Sequence, residues 1–196
     1  MKLLFESWQK YLQEGVGAFE TEFQLFIPKA CPDQKCDPAK LNSVSPVENI
    51  RYMNKPAGGV WTSTAFEKDG KWTSSWNDWM SYNMTTWMHP QGILLRPKTD
   101  NVFHVESDDD ARQLYEMFPL ESEDDFMGTR LVDYTKAIQE YDAIHWGKKT
   151  GKGSDAWEFG SKGAWDVEST VWRDMSVLEV IKTVDVPFDK HIDMEW

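Results

Sequence analysis

The chain has 196 residues, a formal net charge of −12, 40 % hydrophobic residues and 28 % charged residues. These values describe one globular domain spanning 1–196 rather than a disordered polymer. No apolar run approaches the ~20 residues that cross a bilayer, and a strongly negative field repels phosphate backbones, so a cytoplasmic protein with neither membrane nor nucleic-acid partners is expected.

The opening stretch MKLLFESWQKYLQE is interrupted by Glu6, Lys10 and Glu14, unlike the unbroken apolar centre of a signal peptide. Leu4, Trp8, Tyr11 and Leu12 instead form one apolar stripe, which predicts an N-terminal helix within 1–17 closed by Gly15 and Gly17. FQLFI, 23–27, reads as a strand stopped by Pro28. Residues 28–49 hold four prolines and both cysteines and read as an ordered loop long enough to suggest a role of its own. GGVWTSTAF, 58–66, reads as β structure, with the KDGK turn predicting a hairpin between Phe66 and Trp72.

Trp76, Trp79, Met80 and Asn83 fall at helical spacing, with Ser74 or Ser75 as the cap. GILLRP and NVFHV predict two strands around KTD. Ser107 followed by Asp108, Asp109 and Asp110 is a helix start, with a buried stripe at Ala111, Leu114, Tyr115 and Phe118 and a stop at Pro119. Tyr134, Ala137, Ile138 and Tyr141 predict a further helix capped by Asp133, and DAIHW a short strand after it. AWDVESTVW and SVLEVIKTVDV complete the pattern as strands, the second placed centrally by its Val, Leu and Ile content. Helices and strands in irregular order argue α+β, with mixed, mostly antiparallel twisted sheets and flanking helices.

Cys31 and Cys36 are separated by four residues, and the histidines at 89, 104, 145 and 191 are scattered. A zinc site needs about four ligands, so no metal site is expected; a loop disulfide between the two cysteines is geometrically open, and two reduced thiols suit a cytoplasmic protein better. The three aspartates at 108–110 need no cation, because acidic first turns are common. GKKTGKGS lacks the spacing and flanking elements of a phosphate loop.

Eleven tryptophans are the unusual feature. Each buries roughly 150–250 Å², an upper limit of about 4–6 kcal/mol apiece, so most belong to the core. Trp61, Trp72, Trp76, Trp79, Trp87 and Trp165 lie near Gly-rich or Ser/Thr-rich segments, where one or two could wall a pocket for a planar ligand.

Two segments carry candidate chemistry. In KPAGGVWTSTAF, Gly58 and Gly59 permit close backbone approach, Trp61 offers a stacking face, and Thr62, Ser63 and Thr64 supply hydroxyls. Its plain alternative is a hairpin strand with alternating faces. In WDVESTVW, Glu168 sits between Trp165 and Trp172. Simple alternation would turn Asp166, Glu168 and Thr170 to solvent. The other reading is a partly desolvated carboxylate in an aromatic cleft, suited to stabilising a developing cation.

Taken in order, the W-T-S-T strand, the Trp-rich helix, YDAIHW and the late W-D-V-E-S-T-V-W resemble a group of uncharacterised bacteriophage proteins. Those carry KP-x-GLW-x-S, YDGI and WD-x-x-S segments and look like divergent ADP-ribosyltransferases. The resemblance covers roughly residues 50–185. It implies an ADP-ribosyltransferase-like fold, NAD as substrate, and Glu168 as the catalytic carboxylate touching the nicotinamide ribose. It further implies Thr62, Ser63 and Thr64 as the pocket strand with Gly59 beside it, Arg51 as the NAD anchor, and Trp61 or Tyr141 stacking on nicotinamide. The acceptor would be a macromolecule, with a host protein as the expected partner in the host cytoplasm. The competing expectation is a non-enzymatic acidic phage accessory or inhibitor protein, whose charge occupies a host protein's nucleic-acid site.

Overall fold

The structure, a computed structural model, describes residues 23–28, 36–50, 53–83, 88–120, 131–147, 165 and 167–187. The expected N-terminal helix, Arg51, Cys31, Trp87, Asp166, His191 and residues 148–154 of the GKKTGKGS segment lie outside the described residues. Among those described, no helix is long and apolar enough to cross a membrane.

The strands are β1 (Gln24–Phe26), β2 (Glu48–Asn49), β3 (Pro56–Ala57), β4 (Val60–Lys68), β5 (Lys71–Ser74), β6 (Gln91–Pro97), β7 (Val102–Val105), β8 (Ala143–Trp146), β9 (Ser169–Trp172) and β10 (Leu178–Asp185). The helices are α1 (Ser75–Asn83), α2 (Asp108–Met117) and α3 (Tyr134–Glu140). Eight strands form one sheet in the order β10-β6-β1-β4-β9-β8-β7, with β5 pairing β4 beside that path, and β2 pairs β3 separately. Among the described residues only the β7–β8 pair in this sheet is parallel, so the fold is α+β with a mixed, mostly antiparallel sheet.

Local chemistry explains several elements. The β4–β5 hairpin turns through Asp69 (φ 53°) and Gly70 (φ 75°), a two-residue loop whose positive dihedrals suit the twist of the flanking strands. Helix α2 starts in a capping box: the Asp110 N–H donates to Ser107 Oγ at 3.2 Å, and the Ser107 N–H donates to Asp110 Oδ2 at 2.8 Å. At α3 the Lys136 N–H donates to Asp133 Oδ1 at 3.1 Å. Burial pushes the Asp133 carboxyl up, but hydrogen bonds from Asn49 and Lys136 outweigh it and leave the group below its ordinary value.

Parallel β7 and β8 need a crossover, and α2 and α3 lie within it. These helices cover one sheet face. Ala111, Leu114, Phe118, Tyr134, Ala137 and Ile138 pack there with Phe103, Val105, Ile144, Trp146 and Val171. Helix α1 covers the same face farther along, where Met80, Trp72, Trp76 and Trp79 cluster with Leu25, Ile27 and Leu94. The alternate residues Val60, Ala143 and Trp172 point the other way, into a cluster with Cys36, Leu41 and Val177. Cys36 is a buried free thiol, raised to about 11 by burial and then by the Asp37 charge.

One strand expectation is overturned. Among the described residues β10 is an edge strand, not a central one, and pairs only with β6. Its apolar content misled because Glu179, Val180, Lys182, Thr183 and Asp185 are exposed. Charged side chains on an outermost strand oppose pairing with another chain. The GILLRP and NVFHV strands both form, as β6 and β7, but they lie far apart in the sheet and do not pair.

Candidate functional site

The site arises from a change of partner along β4. On one side β1 pairs with Ser63 and Thr64. On the other, β9 pairs with Val60, Trp61 and Thr62 and stops, and β5 begins only at Ala65. Thr64 therefore faces a gap in the ladder, where its N–H has no strand acceptor. A buried N–H left unpaired would cost roughly 1–3 kcal/mol.

Glu168, the residue before β9, fills the gap with its side chain. The Thr64 N–H donates to Glu168 Oε1 at 3.0 Å, Thr64 Oγ1 donates to the same oxygen at 3.0 Å, and Ser63 Oγ donates to Oε2 at 2.5 Å across 105 residues of sequence. Glu168 is 5 % exposed and Thr170 is fully buried, which overturns the solvent-facing alternation at these two positions. Alternation fails because both sheet faces are covered here, so facing away from one core does not mean facing water.

Polar groups continue from this carboxylate along the sheet. His145 Nδ1 shares a 2.8 Å hydrogen bond with Thr170 Oγ1 and lies 3.7 Å from Glu168 Oε1. Its other nitrogen, Nε2, lies 3.2 Å from Glu106 Oε1. On the far side of β9, Thr62 Oγ1 donates to Gln24 Oε1 at 2.7 Å and accepts from Trp172 Nε1 at 2.7 Å. Thus buried Gln24, Thr62, Ser63, Glu168, Thr170 and His145 are all partnered, as buried polar groups must be.

Thr62 and Ser169, the chain neighbours of Ser63 and Glu168, line a cavity of about 360 Å³ together with Leu25, Ile27, Lys55, Trp61 and Trp76. Trp61 and Trp165 rings lie 4.9 Å apart, and Trp165 stacks on Trp146 at 5.2 Å. Lys55 Nζ sits 5.0 Å from the Trp61 ring centre, 5.7 Å from Trp76 and 5.9 Å from Trp165, so this aromatic wall holds one positive charge.

The structure therefore brings Trp61, Thr62, Ser63, Thr64 and Glu168 into one region. It does not bring Tyr141 there. Tyr141 precedes β8 at the end that pairs with Trp172, whereas Glu168 precedes β9 at the end that pairs with Trp146. Its ring packs edge-on against Phe103 at 5.2 Å and Phe118 at 6.2 Å and lines a separate groove with Asn101, Met117 and Glu140. Gly58 and Gly59 do permit close approach, but of the chain to itself. Gly59 has φ 66°, and a Cβ there would lie 2.7 Å from the Trp172 carbonyl oxygen and from Val47 Cγ2.

The sequence reading also missed His104 and His145 as neighbours. The parallel register sets His104 opposite His145, with ring centres 5.3 Å apart. The available signal was two strands with a central histidine, FHV and AIHW, joined through helices. Burial and then the neighbouring His145 lower His104 to about 4, against opposing pulls from Glu106 and Asp110. No protein-family model, curated protein or solved structure matches the chain.

Proposed function

We propose that this chain cleaves NAD and transfers ADP-ribose to a macromolecular acceptor, on a divergent form of the ADP-ribosyltransferase fold. The observation that carries the reading is the contact of Glu168 with Ser63 and Thr64, beside a tryptophan-walled cavity. Heterolysis of the nicotinamide–ribose bond leaves the electron pair on the nicotinamide nitrogen and a positive charge shared by C1′ and the ring oxygen. A nearby carboxylate stabilises that cation, and its low-exposure setting strengthens the interaction. An acceptor nucleophile then attacks C1′ and gives up its proton.

Other residues acquire roles in this scheme. Trp61 supplies a face for nicotinamide, and the Lys55 ammonium offers the anionic dinucleotide a charge within an otherwise acidic protein. Because Ser63 occupies Glu168 Oε2, the ribose hydroxyl must take the place of the serine hydroxyl, exchanging one hydrogen bond for another. Tyr141 has no part, and Trp61 is the stacking residue. The host cytoplasm and a host protein acceptor complete the proposal.

Labelled NAD incubated with the protein and a bacterial lysate tests this reading. Transfer of label to a macromolecule, abolished by Glu168→Gln, is the expected result. Neither NAD loss nor label transfer would remove it. The non-enzymatic alternative rests on the net charge of −12. Of the three aspartates at 108–110, Asp110 closes the capping box and Asp109 pairs with Arg112 at 2.6 Å, so helix formation already accounts for much of this cluster. Loss of a host-inhibiting effect on charge reversal at Asp108 and Asp109, with no effect of Glu168→Gln, would favour the alternative.

A further inference from the structure

We infer that His104, Glu106 and His145 form a three-ligand site for a divalent first-row transition ion such as Zn2+. The site does not depend on the NAD reading. It lies on the sheet face turned away from α2 and α3, where the β7–β8 register places the two histidines side by side.

The donor atoms of the three residues all lie within 4.8 Å of one another. Bonds of about 2.0–2.2 Å to imidazole nitrogen and carboxylate oxygen set tetrahedral ligand atoms roughly 3.3–3.5 Å apart. Glu106 Oε1 and His145 Nε2 are already 3.2 Å apart, so an ion needs little rearrangement of that edge. Two imidazoles and one carboxylate suit zinc, iron, cobalt or nickel rather than the all-oxygen coordination of calcium or magnesium.

The surroundings match what an ion requires. With Nε2 facing the ligand position, the other nitrogen of His145 meets Thr170 Oγ1 at 2.8 Å and has Glu168 Oε1 at 3.7 Å. A ligating histidine commonly uses its second nitrogen in this way, which fixes ring orientation and tautomer. Gly147 makes room for the carboxylate, since a Cβ there would lie 2.0 Å from Glu106 Oε2 and 2.6 Å from Oε1. The Glu106 side chain is 51 % exposed and that of His145 is 6 % exposed, so the ion would be anchored from below and open to solvent above. Three protein ligands with an open position are the arrangement that holds a water on the metal.

Zn2+ titration of chelator-treated full-length protein, followed by calorimetry and thermal melting, tests the assignment. One ion per chain and a raised melting midpoint are expected. Glu106→Gln and His104→Asn should each weaken binding by more than the ~10–100-fold typical of outer-shell changes. Gly147→Ala removes no ligand but displaces the Glu106 carboxylate, and it should weaken binding while leaving the apo protein folded. Absence of Zn2+ binding at micromolar concentrations overturns the assignment. So does wild-type affinity in folded Glu106→Gln or His104→Asn.

Discussion

Toward the end that holds Glu168, strands β7, β8 and β9 present two faces of opposite character. Toward α2 and α3 they offer Phe103, Val105, Ile144, Trp146 and Val171. Toward the other side they offer His104, His145 and Thr170, with Glu168 at the end of the row. Burial alone therefore says little about which residues serve packing. The apolar face is stabilised by area removed from water, whereas the polar face persists because each buried group has a partner. A fold that needed only stability could fill both faces with aliphatic side chains. The polar row is where both proposals above place their chemistry.

Substitutions can break this contrast, and the largest effect belongs to the apolar side. Trp146→Ala opens a cavity beneath Trp165 and should cost about 3–5 kcal/mol in denaturant unfolding. Glu168→Ala strands the Thr64 N–H, and about 1–3 kcal/mol is expected from the same measurement. Equal stability of Glu168→Ala and wild type would show that water replaces the carboxylate in the gap. Thr170→Val keeps the side-chain shape and removes the hydroxyl partner of His145, for about 1 kcal/mol.

A separate contrast lies in pH dependence, in chelator-containing buffer. His104 titrates at about 4 in the folded protein, against an ordinary value of 6.5, through burial and His145, with Glu106 and Asp110 opposing. The unfolded chain thus binds the extra proton first. Stability from this group is complete above pH 6.5 and declines as pH falls from there to about 4. His104→Gln should flatten that segment of the stability–pH curve.

Local signals are legible in the sequence. KDGK specified the β4–β5 turn, Ser107 and Asp110 specified the start of α2, and Asp133 specified the start of α3, because each depends on residues a few positions apart. The inward placement of Glu168 was not fixed by its setting between two tryptophans, which left a solvent-facing alternative open; only the family resemblance paired it with the 62–64 hydroxyls that it meets. Its cause was not legible either. That β9 leaves β4 after Thr62, short of the β5 hairpin that begins at Ala65, is decided by the distant pairing of Thr62 with Thr170. The same holds for the histidines, which sit 41 positions apart and meet only through the parallel β7–β8 register. Tyr141 and β10 were misplaced for the converse reason: composition identified their type of environment without saying which end or edge of the sheet they occupy.

The most direct test separates the structural and chemical duties of Glu168 in a single variant. Glu168→Gln preserves the shape. Its amide oxygen can accept from the Thr64 N–H and hydroxyl, and its NH2 can donate to Ser63 Oγ once that hydroxyl turns from donor to acceptor. The account predicts stability within about 1 kcal/mol of wild type together with loss of NAD consumption. A folded Glu168→Gln protein that consumes NAD at the wild-type rate would contradict it.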